Sequence, residues 1–506
     1  MDWSFPLLAA CERHPRRTAL RHDGRDIAYA ELEASISGMA GALAGLGAAG
    51  ATVGWLLPTA PVALQVAMAL ARAGALAVPL NPRLTEDELV FILQDAGVRF
   101  VVAAPEHLAV ARALRERVPG VERVLLAGGR PADADGDEPD LDRLAASGEG
   151  PDGWAVPDDR AATLTYTSGT TGFPTGVLRT HAANAWNVMN SALGSPRTTA
   201  DVEWFTLPAF GIGMLHFAVP ALLGGATLVL DGDFRAECAW DLLERERATR
   251  VFLAPTMLSS MLAVPGHVAR DLSALEVIYS AYEFPEPLRE RALARFGDRF
   301  AYMYGLTEVQ LTCARVGDLT AKPGSVGTAM GALRLRVIAP DGAALAVGES
   351  GEIAMRGPSA MSGYHGRPDE TARTLVDGWV RTGDLGRIDA DGDLHYLGRL
   401  KEMIKTGGFS VDPREVEEAL LAIPGIEQAA VLGVPDEHWG EMVVAVIAPA
   451  GAASVEEILG ACRRRLAGYK VPKRVHELDA LPLNATGKVE RGRLRERYAG
   501  SSPAAD

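Results

Sequence analysis

Apolar residues follow two alternating spacings along much of the chain. Residues 64–80 begin with the three- and four-residue spacing of a helix and end in the strand-like ALAVPL. A helix at 86–96 is followed by the strand-like VRFVVAA. The same alternation returns in ATRVFLAP (248–255), LEVIYSA (275–281), a helix at 286–296 and AYMYG (301–305). Strands that alternate with helices predict an α/β fold with a largely parallel sheet.

The pattern changes twice towards the C-terminus. From about residue 331 it consists of short strands and turns, as in GEIAMRG and DADGDLHYLGR. Beyond residue 401 it predicts a helix at 413–421, strands at 427–434 and 443–449, and a basic helix at 455–466. We therefore predict domains at 1–400 and 401–499, followed by a disordered tail at 500–506.

Composition narrows the class of protein. A chain of 506 residues is too long for one hydrophobic core, and 48% hydrophobic with 23% charged residues fits a globular enzyme. The formal charge of −15 argues against nucleic-acid and anionic-membrane partners, which need clustered positive charge. The Ala, Gly and Arg content suggests a bacterial source.

Cysteine spacing and hydropathy indicate a cytoplasmic protein. The four cysteines are far apart, without a CxxC pair, which disfavours structural zinc and a disulfide framework. The first 17 residues lack the charge pattern of a signal peptide. The apolar stretch 211–230 is interrupted by Pro220 and Gly224-Gly225, so we predict a short helix, a turn and a strand instead of a membrane span.

Residues 163–179 read TLTYTSGTTGFPTGVLR and carry the clearest chemical signal. Hydroxyl side chains alternate with glycines directly after a strand-like run. Glycines let the backbone approach an anion closely, and hydroxyl and N–H groups donate to its oxygens. The pattern suits a polyphosphate, although it lacks the Gly-Lys-Ser/Thr of a Walker A loop. The alternative is an ordinary Ser/Thr/Gly surface loop.

Four further motifs follow in one order: YGLTE (304–308), GWVRTGDLG (378–386), GRLKEMIKTGG (398–408) and NATGKV (484–489). Together with the phosphate loop they resemble the adenylate-forming superfamily of acyl-CoA synthetases, luciferases and peptide-synthetase adenylation domains. The resemblance covers nearly the whole chain. It implies a large N-terminal domain of layered α/β subdomains with a small β-barrel-like subdomain, and a small mobile α+β C-terminal lid. It leaves homodimer formation open.

The resemblance implies that ATP and Mg²⁺ activate a carboxylic acid as acyl-AMP. Lys488 would stabilise the charge that builds between carboxylate and α-phosphate, unless it is only a charge in a polar tail. Glu308 would hold Mg²⁺, with an exposed acidic residue as the alternative. Thr307 would donate to the α-phosphate. The further ATP-binding residues implied are Thr167, Ser168, Gly169, Thr170, Thr171, Gly172, Ala281, Tyr282, Tyr304, Asp384 and Arg399.

Specific roles follow for three of these residues. Tyr304 would offer a flat face to adenine, or be a core aromatic residue. Asp384 would accept from both ribose hydroxyls, and Arg399 would donate to the ribose or phosphate side. A turn-forming aspartate and a surface arginine are the alternatives.

The remaining implied sites concern the acid and the acceptor. The acyl pocket would contain Phe210, Gly211, Met214, Tyr282, Gly305, Val309 and Met330, which suits an aromatic or medium-chain acid, although core packing explains most of them equally well. Lys401 would be the hinge, or a solvated linker charge. Gly407 and Gly408 would line a thiol tunnel. The basic residues of 463–474 would meet coenzyme A, or form a solvated helix face.

The sequence departs from the family at three places. Thr175 replaces the lysine that ends the phosphate loop, so that ATP binding is weakened unless Arg179 replaces the charge. Gly211 replaces a histidine beside the acyl carboxylate. The family's Gly-Gly-Ala-Pro reads Ser-Ala-Tyr-Glu at 280–283, which puts the Tyr282 ring near the acyl pocket.

Three functions fit these residues. The first is an ATP-dependent acid–coenzyme A ligase. The second is an amide synthetase or carrier-protein loader, in which an amine or tethered thiol replaces coenzyme A. The third is a non-catalytic nucleotide-binding relative, which the retention of Lys488, Glu308 and Asp384 disfavours.

Overall fold

The computed structural model describes residues 2–130, 138–146, 156–167, 174–266, 269–281, 284, 286–309, 312–407, 409–436, 439–449, 453–483 and 489–498. Within these ranges the chain folds into four β-sheets flanked by helices. This arrangement confirms the α/β class predicted from the alternating apolar pattern.

In chain order, strands β1 to β10 span Thr18–His22, Arg25–Ala28, Thr52–Leu56, Leu76–Pro79, Phe100–Ala103, Arg123–Leu126, Ala161–Thr167, Thr175–Thr180, Val202–Trp204 and Thr227–Val229. Strands β11 to β20 span Arg250–Phe252, Val277–Ala281, Phe300–Tyr304, Thr312–Cys313, Thr328–Ala329, Arg334–Ile338, Ser350–Arg356, Gly363–Tyr364, Leu375–Val376 and Trp379–Ile388. Strands β21 to β26 span Leu394–Arg399, Ile404–Thr406, Phe409–Val411, Gln428–Asp436, Gly440–Ala448 and Arg474–Glu477.

Helices α1 to α8 span Phe5–Arg13, Tyr29–Gly45, Pro61–Arg72, Glu86–Asp95, Leu108–Arg117, Leu141–Ala145, His181–Gly194 and Val219–Leu223. Helices α9 to α16 span Ala236–Arg245, Pro255–Ala263, Glu286–Phe296, Asp318–Ala321, Pro368–Thr374, Pro413–Leu421, Val455–Arg465 and Arg491–Tyr498. A 3₁₀ turn spans Pro105–His107, and a π-helical turn spans Met214–Ala218.

Two large sheets form the body of the protein. In one, the described strands run in the order β15-β14-β13-β12-β11-β9-β10-β1-β2, and in the other β18-β8-β7-β4-β3-β5-β6. The inner strands of both sheets pair in parallel, as predicted. Strand β13 is buried along its whole length. Burial on both faces explains why the inner strands are continuous apolar runs without alternation.

The later strands form two smaller sheets. The third sheet is antiparallel, with β16-β17-β20-β19 in order and β21 paired to β20. These five strands correspond to the small β-subdomain predicted within the N-terminal domain. The fourth sheet contains β23-β22-β25-β24 with β26 beside β25, and begins at Ile404.

The apolar stretch 211–230 divides into the π-helical turn, helix α8 and strand β10. This confirms the predicted short helix, turn and strand, with Pro220 in the first turn of α8, where the missing N–H of a proline is tolerated. No helix in the described part of the chain has both the length and the apolar character needed to cross a membrane.

Candidate active site

The YGLTE motif lies at the carboxyl ends of two parallel strands. Strand β12 ends at Ala281, which pairs with Met303 of β13. The chain leaves β13 through Gly305 and reaches Thr307 and Glu308, all three partly exposed. This edge of a parallel sheet is where α/β proteins commonly bind ligands, because the connecting loops and strand ends leave a crevice there.

Asp384 and Arg399 lie opposite each other on β20 and β21. Asp384 is 2% exposed, and the Tyr304 hydroxyl donates to its Oδ2 atom across 2.8 Å. The Arg399 Nε lies 3.3 Å from Asp384 Oδ1, and the Arg399 side chain is 47% exposed. The structure therefore brings these three predicted nucleotide residues together.

The Tyr304 ring has little free surface. It is 8% exposed, and it stacks on Tyr396 with 5.3 Å between ring centroids. Arg414 of helix α14 places its guanidinium 4.6 Å from the centroid of the Tyr396 ring. This packing favours the core-aromatic alternative for Tyr304, whose hydroxyl positions the Asp384 carboxylate.

Burial raises the pKa of Asp384 to about 6, although Arg399 and the Tyr304 hydrogen bond act in the opposite direction. The carboxylate is therefore mostly ionised at neutral pH and becomes protonated just below it. A protonated carboxyl is a weaker acceptor for ribose hydroxyls and a poorer partner for Arg399.

Nucleoside binding should consequently weaken as the pH falls through 6. Adenosine is the suitable probe, since it has ribose hydroxyls but no phosphate that titrates. If only the ionised form binds, affinity measured by calorimetry should fall about tenfold at one pH unit below the pKa of Asp384. Asp384→Asn should remove this dependence. An affinity that stays constant from pH 5 to 7.5 would contradict the role of Asp384.

Glu308 is held by the segment that follows residue 358. The Tyr364 hydroxyl donates to Glu308 Oε1 across 2.8 Å, and the Met361 N–H donates to the Glu308 carbonyl across 2.8 Å. Among the described residues no other side chain hydrogen-bonds this carboxylate. A partly exposed carboxylate with a free oxygen fits the hard oxygen ligand that Mg²⁺ prefers.

Arg179 does not lie where it could replace the missing phosphate-loop lysine. Its side chain is fully buried, and its guanidinium donates to the carbonyls of Thr307, Ala183 and Ser359 and to the Asn184 side chain. Burial lowers its pKa to about 10, and the charge of Glu308 opposes that shift, so Arg179 remains cationic at neutral pH. The rescue by direct phosphate contact that the sequence suggested was wrong, because these carbonyls occupy the donors.

Thr175 opens strand β8 beside Thr167, the end of β7. With Arg179 occupied elsewhere, Thr175→Lys should lower the KM for ATP by about tenfold, since a hydrogen bond to a charged group contributes about 1.5–3 kcal/mol. Initial rates of pyrophosphate release measure this. Thr175→Met, of similar length without charge, is the control, and an equal KM in both variants would refute the prediction.

Several predicted residues lie outside the described residues, and their roles stay predictions. They are Ser168, Gly169, Thr170, Thr171, Gly172, Tyr282, Gly408, Lys488 and the tail at 500–506.

The predicted acyl residues fall into two groups. Phe210, Met214 and Met330 belong to one apolar cluster, and Met214 and Met330 are buried. Val309 is fully buried in a second cluster with Tyr304, which favours the core-packing alternative for it. A Cβ at Gly211 would lie 3.4 Å from the Pro208 carbonyl oxygen and 4.0 Å from the Gly213 nitrogen, both ordinary contacts, so no steric reason requires glycine there.

Lys401 and Gly407, predicted as a hinge and a tunnel residue, lie at the start of the fourth sheet. Lys401 is an exposed turn residue between β21 and β22. Gly407 has φ of 56°, and a Cβ there would lie 3.1 Å from the Trp439 ring. Its backbone conformation and this close approach both favour glycine, independently of any tunnel. In the predicted basic patch, Lys470 pairs with Glu415 at 2.6 Å.

Sequence profiles decide the family. The profile of the AMP-binding enzyme matches residues 7–365, and that of the AMP-binding enzyme C-terminal domain matches residues 415–488. The chain belongs to the AMP-binding enzyme family.

Curated relatives and solved structures agree with this membership. A feruloyl-CoA synthase from Amycolatopsis sp is 37% identical and covers 98% of each chain. An indoleacetate–CoA ligase from Aromatoleum aromaticum is 37% identical over 96% of each chain. The crystal structure of ATP-bound MatB from Rhodopseudomonas palustris matches with a TM-score of 0.88 at 29% identity, over 99% of both chains. The protein is thus an AMP-forming acid–thiol ligase, with the large N-terminal and small C-terminal domains of its family.

Sequence reasoning missed two residues of this AMP-binding enzyme's site. Tyr364, which contacts Glu308, lies in MSGYHG, where a tyrosine after a glycine in a turn-rich stretch gives no separate signal. Tyr396, which stacks on Tyr304, lies in an alternating strand and could have been noticed as an aromatic residue three positions before Arg399.

Proposed function

We propose that this ligase activates an aromatic carboxylic acid as its acyl-AMP and transfers the acyl group to the thiol of coenzyme A. The observation that carries this proposal is the identity of 37% with both feruloyl-CoA synthase and indoleacetate–CoA ligase, over nearly the full length of each. Both names describe acids that contain an aromatic ring.

The apolar cluster around Phe210 supports an aromatic acid. Phe210 and Gly211 are partly exposed beside the buried Met214. The aromatic side chain of Phe210 can stack edge-on or offset against a substrate ring. The space at Gly211, where the family has histidine, leaves room for a ring substituent beside the carboxylate.

We assign the nucleotide to the residues that meet at the sheet edge. Asp384 would accept from the ribose hydroxyls, Arg399 would donate to the ribose or phosphate side, and Thr307 would donate to the α-phosphate. Glu308 would hold Mg²⁺, which when bound neutralises charge on the triphosphate. Lys488 would place its ammonium between the carboxylate and the α-phosphate.

A panel of acids tests this function. Pyrophosphate release is measured with ferulic, indoleacetic, benzoic, hexanoic and decanoic acids, each with and without coenzyme A. The proposal predicts a higher kcat/KM for an aromatic acid than for either aliphatic acid, and sustained turnover only with coenzyme A. A preference for decanoic acid would refute the aromatic assignment. Sustained turnover without coenzyme A would refute coenzyme A as the acceptor.

A further inference from the structure

Three separate hydrogen bonds tie the Thr307–Glu308 dipeptide to strand β8 and to the segment 359–364 that pairs with it. Arg179 on β8 donates through Nη1 to the Thr307 carbonyl across 3.1 Å. The Met361 N–H donates to the Glu308 carbonyl, and the Tyr364 hydroxyl donates to the Glu308 carboxylate, each across 2.8 Å. Both peptide carbonyls and the acidic side chain of the dipeptide are therefore fixed from outside their own loop.

The three donors are themselves connected. Strand β18 pairs with β8, with Gly363 opposite Leu178 and Tyr364 opposite Val177. Arg179 donates through Nη2 to the Ser359 carbonyl across 2.7 Å, which fastens the start of the same segment. Strand β8 in turn forms a hairpin with β7, and the phosphate-loop sequence joins these two strands. The dipeptide is consequently held by the strand that directly follows the phosphate-loop sequence.

Arg179 is well suited to hold a backbone turn. Its planar guanidinium presents donors in a fixed fork, and it binds carbonyls that lie far apart in the sequence. Among the described residues no carboxylate forms an ion pair with it, so its buried charge is satisfied by carbonyl dipoles and by the longer-range field of Glu308.

We infer that Arg179 and Tyr364 are positioning residues, which hold the Thr307–Glu308 dipeptide against strand β8 so that the Glu308 carboxylate can bind the metal of Mg–ATP. This inference rests on the proposed role of Glu308. Partners that orient a metal ligand typically change metal affinity about 10- to 100-fold when they are removed. Because contacts from β8 and its paired segment hold Glu308 in place, Glu308 does not need to lie on a helix or strand of its own.

Two substitutions separate positioning from general stability. Tyr364→Phe removes one hydroxyl and keeps the ring, and Arg179→Lys keeps the charge but loses the fork. Arg197→Lys is the matched control, because Arg197 is also fully buried but pairs with Glu203 at 2.8 Å, in another part of the body. Glu308→Gln is the reference variant for the metal assignment.

Calorimetry without any acid substrate provides a readout that is independent of turnover. The dissociation constant of ATP is measured in Mg²⁺ and in EDTA. The value in EDTA divided by the value in Mg²⁺ gives the benefit of Mg²⁺. Tyr364→Phe and Arg179→Lys should each lower this ratio about tenfold. Both should also increase amide exchange in peptides that cover 304–309, with ATP binding in EDTA almost unchanged. Arg197→Lys should change neither quantity.

The outcomes distinguish the two claims. If Glu308→Gln abolishes the Mg²⁺ benefit while Tyr364→Phe and Arg179→Lys leave it and the exchange at wild-type level, the positioning inference is wrong and the role of Glu308 stands. If Glu308→Gln leaves the Mg²⁺ benefit unchanged, the metal assignment fails and the inference fails with it. An equal loss in Arg197→Lys would show that the effect reflects stability alone.

Discussion

Lys488→Ala should lower the kcat for acyl-AMP formation by about 10²–10³-fold, which is the usual effect of removing one preorganised donor at a developing charge. The ammonium would offset the repulsion between the attacking carboxylate and the α-phosphate, so its loss raises the barrier of the first half-reaction. Pyrophosphate release measures that step. Consumption of chemically prepared acyl-AMP by coenzyme A should remain within about twofold of wild type, because the mixed anhydride between the carboxylate and the α-phosphate is already formed.

Arg493→Ala is the control for this variant. Arg493 is a cation close to Lys488 in the sequence, is largely exposed and pairs with Glu490 at 2.8 Å. Its removal should leave both half-reactions unchanged. Pyrophosphate release at the wild-type rate in Lys488→Ala would eliminate Lys488 as the catalytic lysine.

Glu308→Gln should lower the rate of pyrophosphate release about 100-fold or more. Removing a partner that only orients a metal ligand costs about 10- to 100-fold, and removing the ligand's own charge should cost at least as much. The amide retains an oxygen that can accept from Tyr364, but it has no charge for a hard cation. The variant should therefore fold normally and respond weakly to Mg²⁺. Titration of the rate against Mg²⁺ at fixed ATP measures this directly.

Glu349→Gln controls for the loss of one negative charge in an acidic protein. Glu349 is exposed and accepts from the Ala346 N–H in a turn of the third sheet. Its Mg²⁺ titration should overlay that of wild type. A Glu308→Gln titration that also overlays wild type would mean that another group carries the metal.

Local signals predicted the elements, because the residues that start and stop them lie next to them. The helix predicted at 413–421 is α14, Pro413–Leu421, where Asp412 caps the first turn and Pro413 follows it. The helix predicted at 286–296 has the same bounds in the structure. The motif order placed Asp384 and Arg399 in one site, and the strand register confirms their proximity.

Long-range contacts could not be predicted in this way. Arg179 and the Ser359 carbonyl are separated by 180 positions, and no spacing along the chain records that they meet. The sequence therefore indicated a cation near the phosphates, whereas burial among carbonyls determines what Arg179 contacts. Tyr304 illustrates the same limit. Its position in the motif suggested a flat face for adenine, but tertiary packing against Tyr396 leaves little of its ring surface free.

Mass spectrometry of the purified enzyme with ATP, Mg²⁺ and the best aromatic acid tests the central claim most directly. Without coenzyme A, we expect an enzyme-bound acyl-AMP together with about one equivalent of pyrophosphate, the burst that appears when an intermediate accumulates. Addition of coenzyme A should convert that acyl-AMP into the acyl-CoA thioester and AMP. Formation of ADP in place of AMP, or of the thioester with no acyl-AMP intermediate, would contradict the account.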